Sequence, residues 1–366
     1  MTGYPARARI TSRQLLYLIV LTVVPVQELG AGGPLLREYG KDALWSLVAG
    51  ATAATVPLLI SVHIVRRLAP LDLGATLRSR GLAGRLLLAF FGLALAVPLF
   101  NIWSAYVQTL TVEILPHTPG WAIAALGAAA VLYGARGGIE VVARAGELFA
   151  PIAIAAMGVL AAMTIPWLHV SYILPIWPQT AAALTTGGYH AFTFFSEVGF
   201  AAYLGTLVRD PSTVPRALWW ALSLSFAELL MAIGMPLLMF TPEHVAVLTV
   251  PLLSAVRAIH YGFLIERLDT AVVAAYSVLV ALKLTLWTTL SCRLLADATS
   301  QRAYRSLTVI ATAAAAGSSL VLVHNLAQVQ ANLQTLWFNG FAPVYLGALL
   351  LIAILLRASR ARTAHA

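Results

Sequence analysis

The segment Glu28-Leu29-Gly30-Ala31-Gly32-Gly33-Pro34 interrupts the first long apolar run of the chain, which extends from about Leu15 to Leu36. A carboxylate, three glycines and a proline are unsuited to a helix that faces hydrocarbon, because backbone polar groups in lipid must find partners within the protein. Secondary transporters bind their small molecules at helix interruptions that line a cavity. The segment therefore predicts a broken first membrane helix with a binding site at the break.

The composition of the 366-residue chain is that of a membrane protein. It is 60% hydrophobic and 10% charged, with a mean hydropathy of +0.86. A soluble domain carries roughly 25% charged residues, so this chain has too few to cover a surface that faces water. We expect the net charge of +9 to lie in loops on one side of a lipid bilayer, and we expect no nucleic-acid partner.

Ten apolar segments approach the length of about 20 residues that spanning a bilayer requires. In approximate numbers they are 14–36, 43–65, 86–111, 119–135, 142–165, 186–208, 217–240, 270–292, 303–325 and 337–357. With the N-terminus in the cytoplasm, 18 Lys and Arg residues fall inside, 4 fall outside, and Lys283 lies within a span. This bias predicts an all-α, multi-pass protein of the cell membrane, a single domain over residues 1–366, with both termini cytoplasmic.

Ten spans divide into two sets of five, with halves at about 10–165 and 186–357. A repeat unit with an odd number of spans inverts its copy, as in many transporters. The first span of each half carries the same pattern, Glu28-Leu29-Gly30 and Glu197-Val198-Gly199. We therefore expect a 5+5 inverted repeat in which helices 1 and 6 are both broken.

Four ionisable residues, Glu28, Glu197, Glu228 and Lys283, lie deep in predicted spans. Each costs about 2.5–3.5 kcal/mol on insertion scales, so each needs a function or a partner. Lys283 is interpreted either as a coupling group paired with Glu197 or Glu28, or as half of a structural salt bridge. Glu228 is interpreted either as a coupling group or as a hydrogen-bond partner between helices.

The predicted ligand site combines the two breaks. Glycines in the first break expose backbone amides, and a helix N-terminus suits a carboxylate. The sixth span supplies hydroxyls, an aromatic wall and a carboxylate, so a small zwitterion such as an amino acid fits. The candidate ligand-binding residues are Gly30, Ala31, Gly32, Gly33, Thr193, Phe194, Ser196, Glu197, Asn101 and Tyr106. The alternative for Gly32 and Gly33 is close helix packing.

Patterns typical of other classes are lacking in the sequence. No His, Cys or carboxylate cluster has metal-ligand spacing. Neither a phosphate loop nor a nucleophile–base arrangement is present, so we expect no enzyme, no catalytic residue, no metal and no cofactor.

The outer segment 241–269 places Leu252, Leu253, Val256, Ile259 and Phe263 at helical spacing, which predicts an amphipathic helix with or without a gating role.

Eight short motifs, in order along nearly the whole chain, resemble those of the endospore germination permeases. They are Ile10-Thr11-Ser12-Arg13-Gln14, Gly30-Ala31-Gly32-Gly33-Pro34, Gly40-Lys41-Asp42-Ala43-Leu44-Trp45, Tyr133-Gly134-Ala135-Arg136-Gly137-Gly138-Ile139-Glu140, Ile173-Leu174-Pro175-Ile176, Phe194-Phe195-Ser196-Glu197, Val250-Pro251-Leu252 and Ile265-Glu266-Arg267-Leu268-Asp269. These permeases are the B-type subunits of nutrient germinant receptors in spore-forming bacteria.

The resemblance implies the amino acid–polyamine–organocation superfamily and a LeuT-like fold. It also implies a subunit that senses a small nutrient, often an amino acid, and triggers germination. The expected partners are an A-type membrane subunit and a C-type lipoprotein, in the spore inner membrane. A proton-coupled amino acid permease of the same fold is the alternative, because sensing and transport need the same pocket.

Overall fold

The computed structural model describes residues 9–27, 32–69, 71–260, 268–321 and 325–364. Within these ranges the regular elements are helices, and a single parallel bridge joins Ile10 to Val208. A continuous apolar core runs between the helices. The predicted all-α class is therefore confirmed.

Eighteen α-helices follow one another along the described residues. They are α1 (Ser12–Val26), α2 (Gly32–Tyr39), α3 (Ala43–Ala53), α4 (Thr55–Leu68), α5 (Leu73–Arg78), α6 (Leu82–Thr109), α7 (Gly120–Gly137), α8 (Ile139–Thr164), α9 (Ala181–Leu184), α10 (Thr186–Phe195), α11 (Ala201–Leu204), α12 (Val214–Met239), α13 (Pro242–Val247), α14 (Pro251–Arg257), α15 (Leu268–Ala298), α16 (Tyr304–Val321), α17 (Leu326–Thr335) and α18 (Ala342–Ala364).

Six helical stretches of the described chain are long and apolar enough to cross a membrane. They are Gly32–Leu68, Leu82–Ile114, Ile139–Trp167, Pro211–Met239, Asp269–Ala298 and Asn339–Leu356. Helix α1 is a shorter apolar helix. The fourth, sixth and ninth predicted spans correspond to α7, to α10 with α11, and to α16.

The first predicted span is helical on both sides of residues 28–31. A capping box begins α1: the Thr11 side chain accepts from the Gln14 backbone N–H, and the Gln14 side chain accepts from the Thr11 N–H. Helix α1 ends at Val26, and α2 begins at Gly32. Residues 28–31, on which the predicted break falls, lie outside the described residues.

The sixth predicted span is interrupted as expected. Helix α10 gives way to a 3₁₀ segment over Ser196–Phe200, and α11 follows before a second 3₁₀ turn over Gly205–Leu207. The tighter winding changes which backbone groups pair, so it is a place where side chains and carbonyls are presented to a neighbour. The Glu-x-Gly pattern of Glu197 lies inside this segment.

Helix α1 is central, because it packs against α8, α12 and α15. Elsewhere, close backbone approach requires glycine. A Cβ on Gly50 of α3 would lie 2.4 Å from the Phe192 backbone nitrogen of α10. A Cβ on Gly92 of α6 would lie 2.7 Å from Leu295 Cγ of α15. These contacts hold α3 close to α10, and α6 close to α15.

One predicted element differs from the structure, and one helix was not predicted. The amphipathic helix expected within the outer segment 241–269 is shorter than its spacing suggested: α14 ends at Arg257, Ile259 lies beyond it, and residues 261–267, including Phe263, lie outside the described residues. Leu252, Leu253 and Val256 are buried rather than lying on a surface. The tenth predicted span, 337–357, agrees with the apolar stretch Asn339–Leu356. Helix α17, which precedes it, was not predicted, because its polar residues lower its hydropathy.

Candidate ligand-binding site

A buried ion pair lies at the interruption of the sixth span. Glu197 belongs to the 3₁₀ segment Ser196–Phe200, and Lys283 lies midway along α15. Lys283 Nζ is 3.1 Å from Glu197 Oε1, and both side chains are fully buried. Each charge stabilises the other, because either alone would be isolated in an apolar interior. Among the carboxylates that the structure describes, Glu197 is the partner of Lys283.

The Lys283 ammonium also contacts the end of α1. It donates to Gln27 Oε1 at 3.4 Å and to the backbone carbonyl oxygen of Thr22. An ammonium has three N–H donors, and these two acceptors with Glu197 account for three bonds. The C-terminal end of a helix carries partial negative charge, so a cation there is favourable. One side chain thus links α1, the 3₁₀ segment and α15.

Gln27 completes the cluster, and the sequence analysis did not select it. Its Nε2 donates to Glu197 Oε1 at 3.3 Å, while its own Oε1 accepts from Lys283. The side chain is 3% exposed. Its position directly before the glycine-rich segment could have indicated Gln27, but the sequence analysis selected the neighbouring carboxylate, Glu28. Glu28 lies outside the described residues.

One aromatic ring lies against the ammonium and further rings pack behind it, and the sequence analysis selected none of them for this role. Lys283 Nζ is 5.6 Å from the centroid of the Trp287 ring, which lies one turn along α15. Phe200 contacts both Trp287 and Tyr345, at centroid distances of 5.1 and 4.9 Å. Excluding water in this way strengthens the ion pair and adds a cation–π contribution.

The predicted hydroxyls of the sixth span are engaged within their own helix. Thr193 Oγ1 donates to the His190 carbonyl at 2.7 Å, and Ser196 Oγ donates to the Thr193 carbonyl at 2.7 Å. Their oxygens retain acceptor capacity. Phe194 is buried beside them at 2% exposure. These three residues lie next to Glu197, as predicted, and their role in binding stays a prediction.

The predicted residues of the third span are buried but are not joined to the ion pair. Asn101 and Tyr106 lie on α6, each 8% exposed. The Tyr106 ring packs edge-on against Trp103, and both rings lie against Gly127 of α7. Within the described ranges, neither residue makes a hydrogen bond to Glu197 or Lys283.

The two described glycines of the first break differ in their surroundings. A Cβ on Gly32 would lie 3.4 Å from the Gln27 carbonyl oxygen and 3.6 Å from Ile233, which is ordinary contact. A Cβ on Gly33 would lie 3.2 Å from the Thr249 carbonyl oxygen, which is tight. Packing therefore accounts for Gly33 better than for Gly32. Gly30 and Ala31 lie outside the described residues.

Glu228 is not part of the cluster. It lies on α12, is 3% exposed, and lines a separate cavity beside α1, α8 and α15. It forms no hydrogen bond or ion pair with any residue in the described part of the chain. The helix-to-helix hydrogen bond considered for Glu228 is therefore not found there.

Several resemblance motifs lie together at the start of α1. Glu140 Oε1 accepts from the Arg9 backbone N–H at 2.9 Å, and Glu147 Oε2 accepts from Gln14 Nε2 at 3.0 Å. Arg13 Nε is 3.4 Å from Glu147 Oε1. Ile10 exchanges backbone hydrogen bonds with Leu207 and Arg209, directly after α11. The first helix is thereby tied to α8 and to the sixth span.

Two other motifs meet near the start of α3. Asp42 Oδ2 accepts from the backbone N–H groups of Gln179 and Thr180, at 2.9 and 3.1 Å. Lys41 Nζ donates to the Leu174 carbonyl at 2.9 Å, and Trp45 stacks on Trp177. The Gly40–Trp45 and Ile173–Ile176 motifs are thus two sides of one contact.

Comparison of the sequence with family models gives one clear result. The model described as "Spore germination protein" matches residues 9–322. The chain belongs to this family of spore germination permeases. No curated protein matches the chain in a sequence search.

Solved transporter structures share the fold at low sequence identity. The structure of MhsT in complex with L-phenylalanine has TM-score 0.64 and 14% identity, over 94% of this chain and 89% of that chain. Mhp1, a nucleobase-cation-symport-1 family transporter with bromovinylhydantoin bound, has TM-score 0.63 and 12% identity, over 94% and 79%. A manganese transporter of Eremococcus coleocola has TM-score 0.61 and 14% identity, over 93% and 78%.

These likenesses confirm the expected fold class. The chain has the LeuT fold that these transporters share, and its family is that of the spore germination permeases. It is a membrane protein of germination and transport type.

Proposed function

We propose that the chain is the B-type membrane subunit of a nutrient germinant receptor, which binds a small nutrient and triggers germination. The observation that carries the proposal is the buried cluster of Glu197, Lys283 and Gln27. It joins the end of α1, the interruption of the sixth span and α15 through one ammonium. A ligand that enters this cluster acts on three segments at once.

We propose an amino acid as the ligand, bound between the two interrupted spans. Helix α2 begins at Gly32 and packs against α10. The first amides of a helix have no intrahelical acceptor, and its N-terminus suits a carboxylate. The C-terminal end of α1 and the carboxylate of Glu197 suit an ammonium. MhsT, of the same fold, is solved with L-phenylalanine.

We propose that the ligand triggers the conformational change by competing with protein donors for Glu197 Oε1. Glu197 Oε1 accepts from both Lys283 and Gln27. A ligand ammonium that reaches Glu197 competes with these donors and so alters the link between α1 and α15. Differential contact of this kind is what lets a ligand shift a conformational equilibrium.

The proposed assembly includes an A-type membrane subunit and a C-type lipoprotein in the spore inner membrane, with both termini of this chain cytoplasmic. Co-expression of all three with an affinity tag on this chain tests the assembly, and we expect the other two to co-purify. Fusing a reporter that is active only in the cytoplasm to either end tests the orientation. An inactive reporter at either end would overturn it.

Reconstitution of the purified chain into proteoliposomes tests the sensing role. We expect labelled amino acids to bind saturably without uphill accumulation. Loss of binding in Glu197→Gln, with unchanged binding in the exposed control Glu243→Gln, would support the site. No saturable binding of any amino acid, by the chain alone or by the three-subunit complex, would contradict the ligand class.

A proton-coupled amino acid permease is the second candidate. It is favoured by the complete burial of both Lys283 and Glu197, two groups able to exchange a proton in a site closed to water. Robust uphill uptake driven by a pH gradient, without partner subunits, would establish transport and overturn a sensor-only function.

A further inference from the structure

A cavity of about 280 Å³ lies between α1, α8 and α15, apart from the buried ion pair. Its walls are apolar almost throughout, with Val20 and Val24 from α1, Leu160 from α8 and Tyr276 from α15. Ligand pockets measure roughly 300–1,000 Å³, so this cavity lies at the lower end of that range. Neither Glu197 nor Lys283 lines it.

Glu228 is the acidic group among the described residues that line this cavity. It is 3% exposed, and no described residue gives it a hydrogen bond or an ion pair. Burying a carboxyl group without a partner is costly, because the group loses its hydration and gains nothing in exchange. The cavity therefore has apolar walls and one acidic group, Glu228, to which a ligand could bind.

The cavity opens towards the side of the helix bundle. Ala156, Val159 and Ala271, on its lining, are exposed, whereas Glu228 and Leu160 are buried. In a bilayer, exposed apolar residues on membrane helices face hydrocarbon. A molecule dissolved in the lipid can therefore reach Glu228 from the outside of α8 and α15.

We propose that this cavity is a second ligand site, which takes a small apolar amine whose ammonium pairs with Glu228. The carboxylate attracts a cation and gains from it the hydrogen bonds that the protein does not supply. No Lys, Arg or His occurs among the described residues of the lining, so an anion or the carboxylate of an amino acid has no counter-charge there.

The size of the ligand follows from the volume. An apolar protein cavity of about 150 Å³ holds one benzene molecule. At 280 Å³ this cavity has room for an aromatic ring with a short aminoalkyl chain. A lipid acyl chain can contact the apolar walls, but it has no hydrogen-bond donor for Glu228.

The test uses the purified full-length chain in lipid nanodiscs and three probes with one carbon skeleton. These are 2-phenylethylamine as the cation, phenylacetate as the anion and L-phenylalanine as the zwitterion. Binding is measured by ligand-observed NMR and titration. We expect 2-phenylethylamine to bind at least tenfold more tightly than phenylacetate, and Glu228→Gln to weaken amine binding at least tenfold.

Paired variants separate the cavity from general effects. Ala153→Phe fills the cavity and should abolish amine binding, whereas Ala155→Phe, on the exposed side of the same helix and not on the lining, should leave it unchanged. Glu243→Gln, at an exposed position that does not line the cavity, should also leave amine binding unchanged. Equal binding of amine and anion by the wild-type chain, or binding unaffected by both Glu228→Gln and Ala153→Phe, would overturn the proposal.

Discussion

Lys283 and Glu197 form an ion pair in which Nζ lies 3.1 Å from Oε1 and neither side chain reaches the surface. Because Lys283 also bonds Thr22 of α1 and Gln27, which directly follows α1, the pair connects three helical segments that are distant in sequence. Removing one partner of a buried pair is much more costly than removing both. Comparing single and double substitutions of Lys283 and Glu197 therefore tests whether the two side chains are paired.

The first prediction concerns stability. Lys283→Met leaves the Glu197 carboxylate buried without its cation, so we expect the free energy of unfolding to fall by about 3–5 kcal/mol. Adding Glu197→Gln to Lys283→Met should restore much of this loss, because a neutral amide is less costly to bury. Thermal unfolding of the purified single and double variants measures the coupling.

Arg13 and Glu147 provide the matched control for that cycle. Their atoms lie 3.4 Å apart, but the side chains are 66% and 30% exposed. Exposed pairs contribute about 0–1 kcal/mol, so Arg13→Gln and Glu147→Gln should combine almost additively. Simple additivity of the Lys283 and Glu197 variants as well would mean that their contact contributes nothing to stability.

The second prediction concerns the first break. A small side chain at Gly32 meets only ordinary contacts, whereas a leucine extends beyond them towards Gln27 and Ile233. We expect Gly32→Ala to retain ligand response, and Gly32→Leu to abolish it while membrane insertion stays normal. Germination response in cells and membrane-fraction abundance are the two measurements. An unchanged response in Gly32→Leu would remove this glycine from the site.

The third prediction concerns the packing of α3 on α10. In Gly50→Ala the new Cβ would overlap the backbone at Phe192 and Ala191, at 2.4 and 2.6 Å, so the helices must separate. We expect the free energy of unfolding to fall by about 1–3 kcal/mol, as it does when a protein core is overpacked. Gly158→Ala is the control, since nothing lies within 4 Å of that Cβ. Equal unfolding temperatures for the two variants would contradict the close approach.

The fourth prediction concerns the segment between α8 and α9. Asp42→Ala removes the acceptor for the Gln179 and Thr180 amides, and each of these partly buried hydrogen bonds contributes about 0.5–1.5 kcal/mol to stability. Hydrogen exchange in residues 170–180 should therefore accelerate. Asp210→Ala is the control, because Asp210 caps only its own turn at Ser212. Unaltered exchange after Asp42→Ala would mean that the segment is held by other contacts.

The membrane helices and the candidate region could be predicted from the sequence. Spans are strongly apolar because lipid excludes polar side chains, and this leaves Glu197 and Lys283 conspicuous. The interruption at Ser196–Phe200 was predictable because an acid and a glycine recur there in the pattern of the first span. The ordered motifs identified the family, which the family model confirms.

Other residues could not be chosen from sequence alone. Gln27 and Trp287 are ordinary residues in apolar segments until the packing places them beside one ammonium. Helix α17 was missed because hydropathy detects lipid contact rather than helix formation. The helix of the outer segment was expected to continue to Ile259, because the spacing of apolar residues alone does not show that it ends at Arg257.

Sequence by itself determined that the chain enters a membrane, that it belongs to the spore germination permeases, and that a buried cation needs a carboxylate. Only the tertiary structure decided which carboxylate that is, and that Glu228 stands apart at a cavity. The reason is physical: hydropathy and charge are properties of single residues, whereas an ion pair or a cavity depends on distances between helices far apart in the chain.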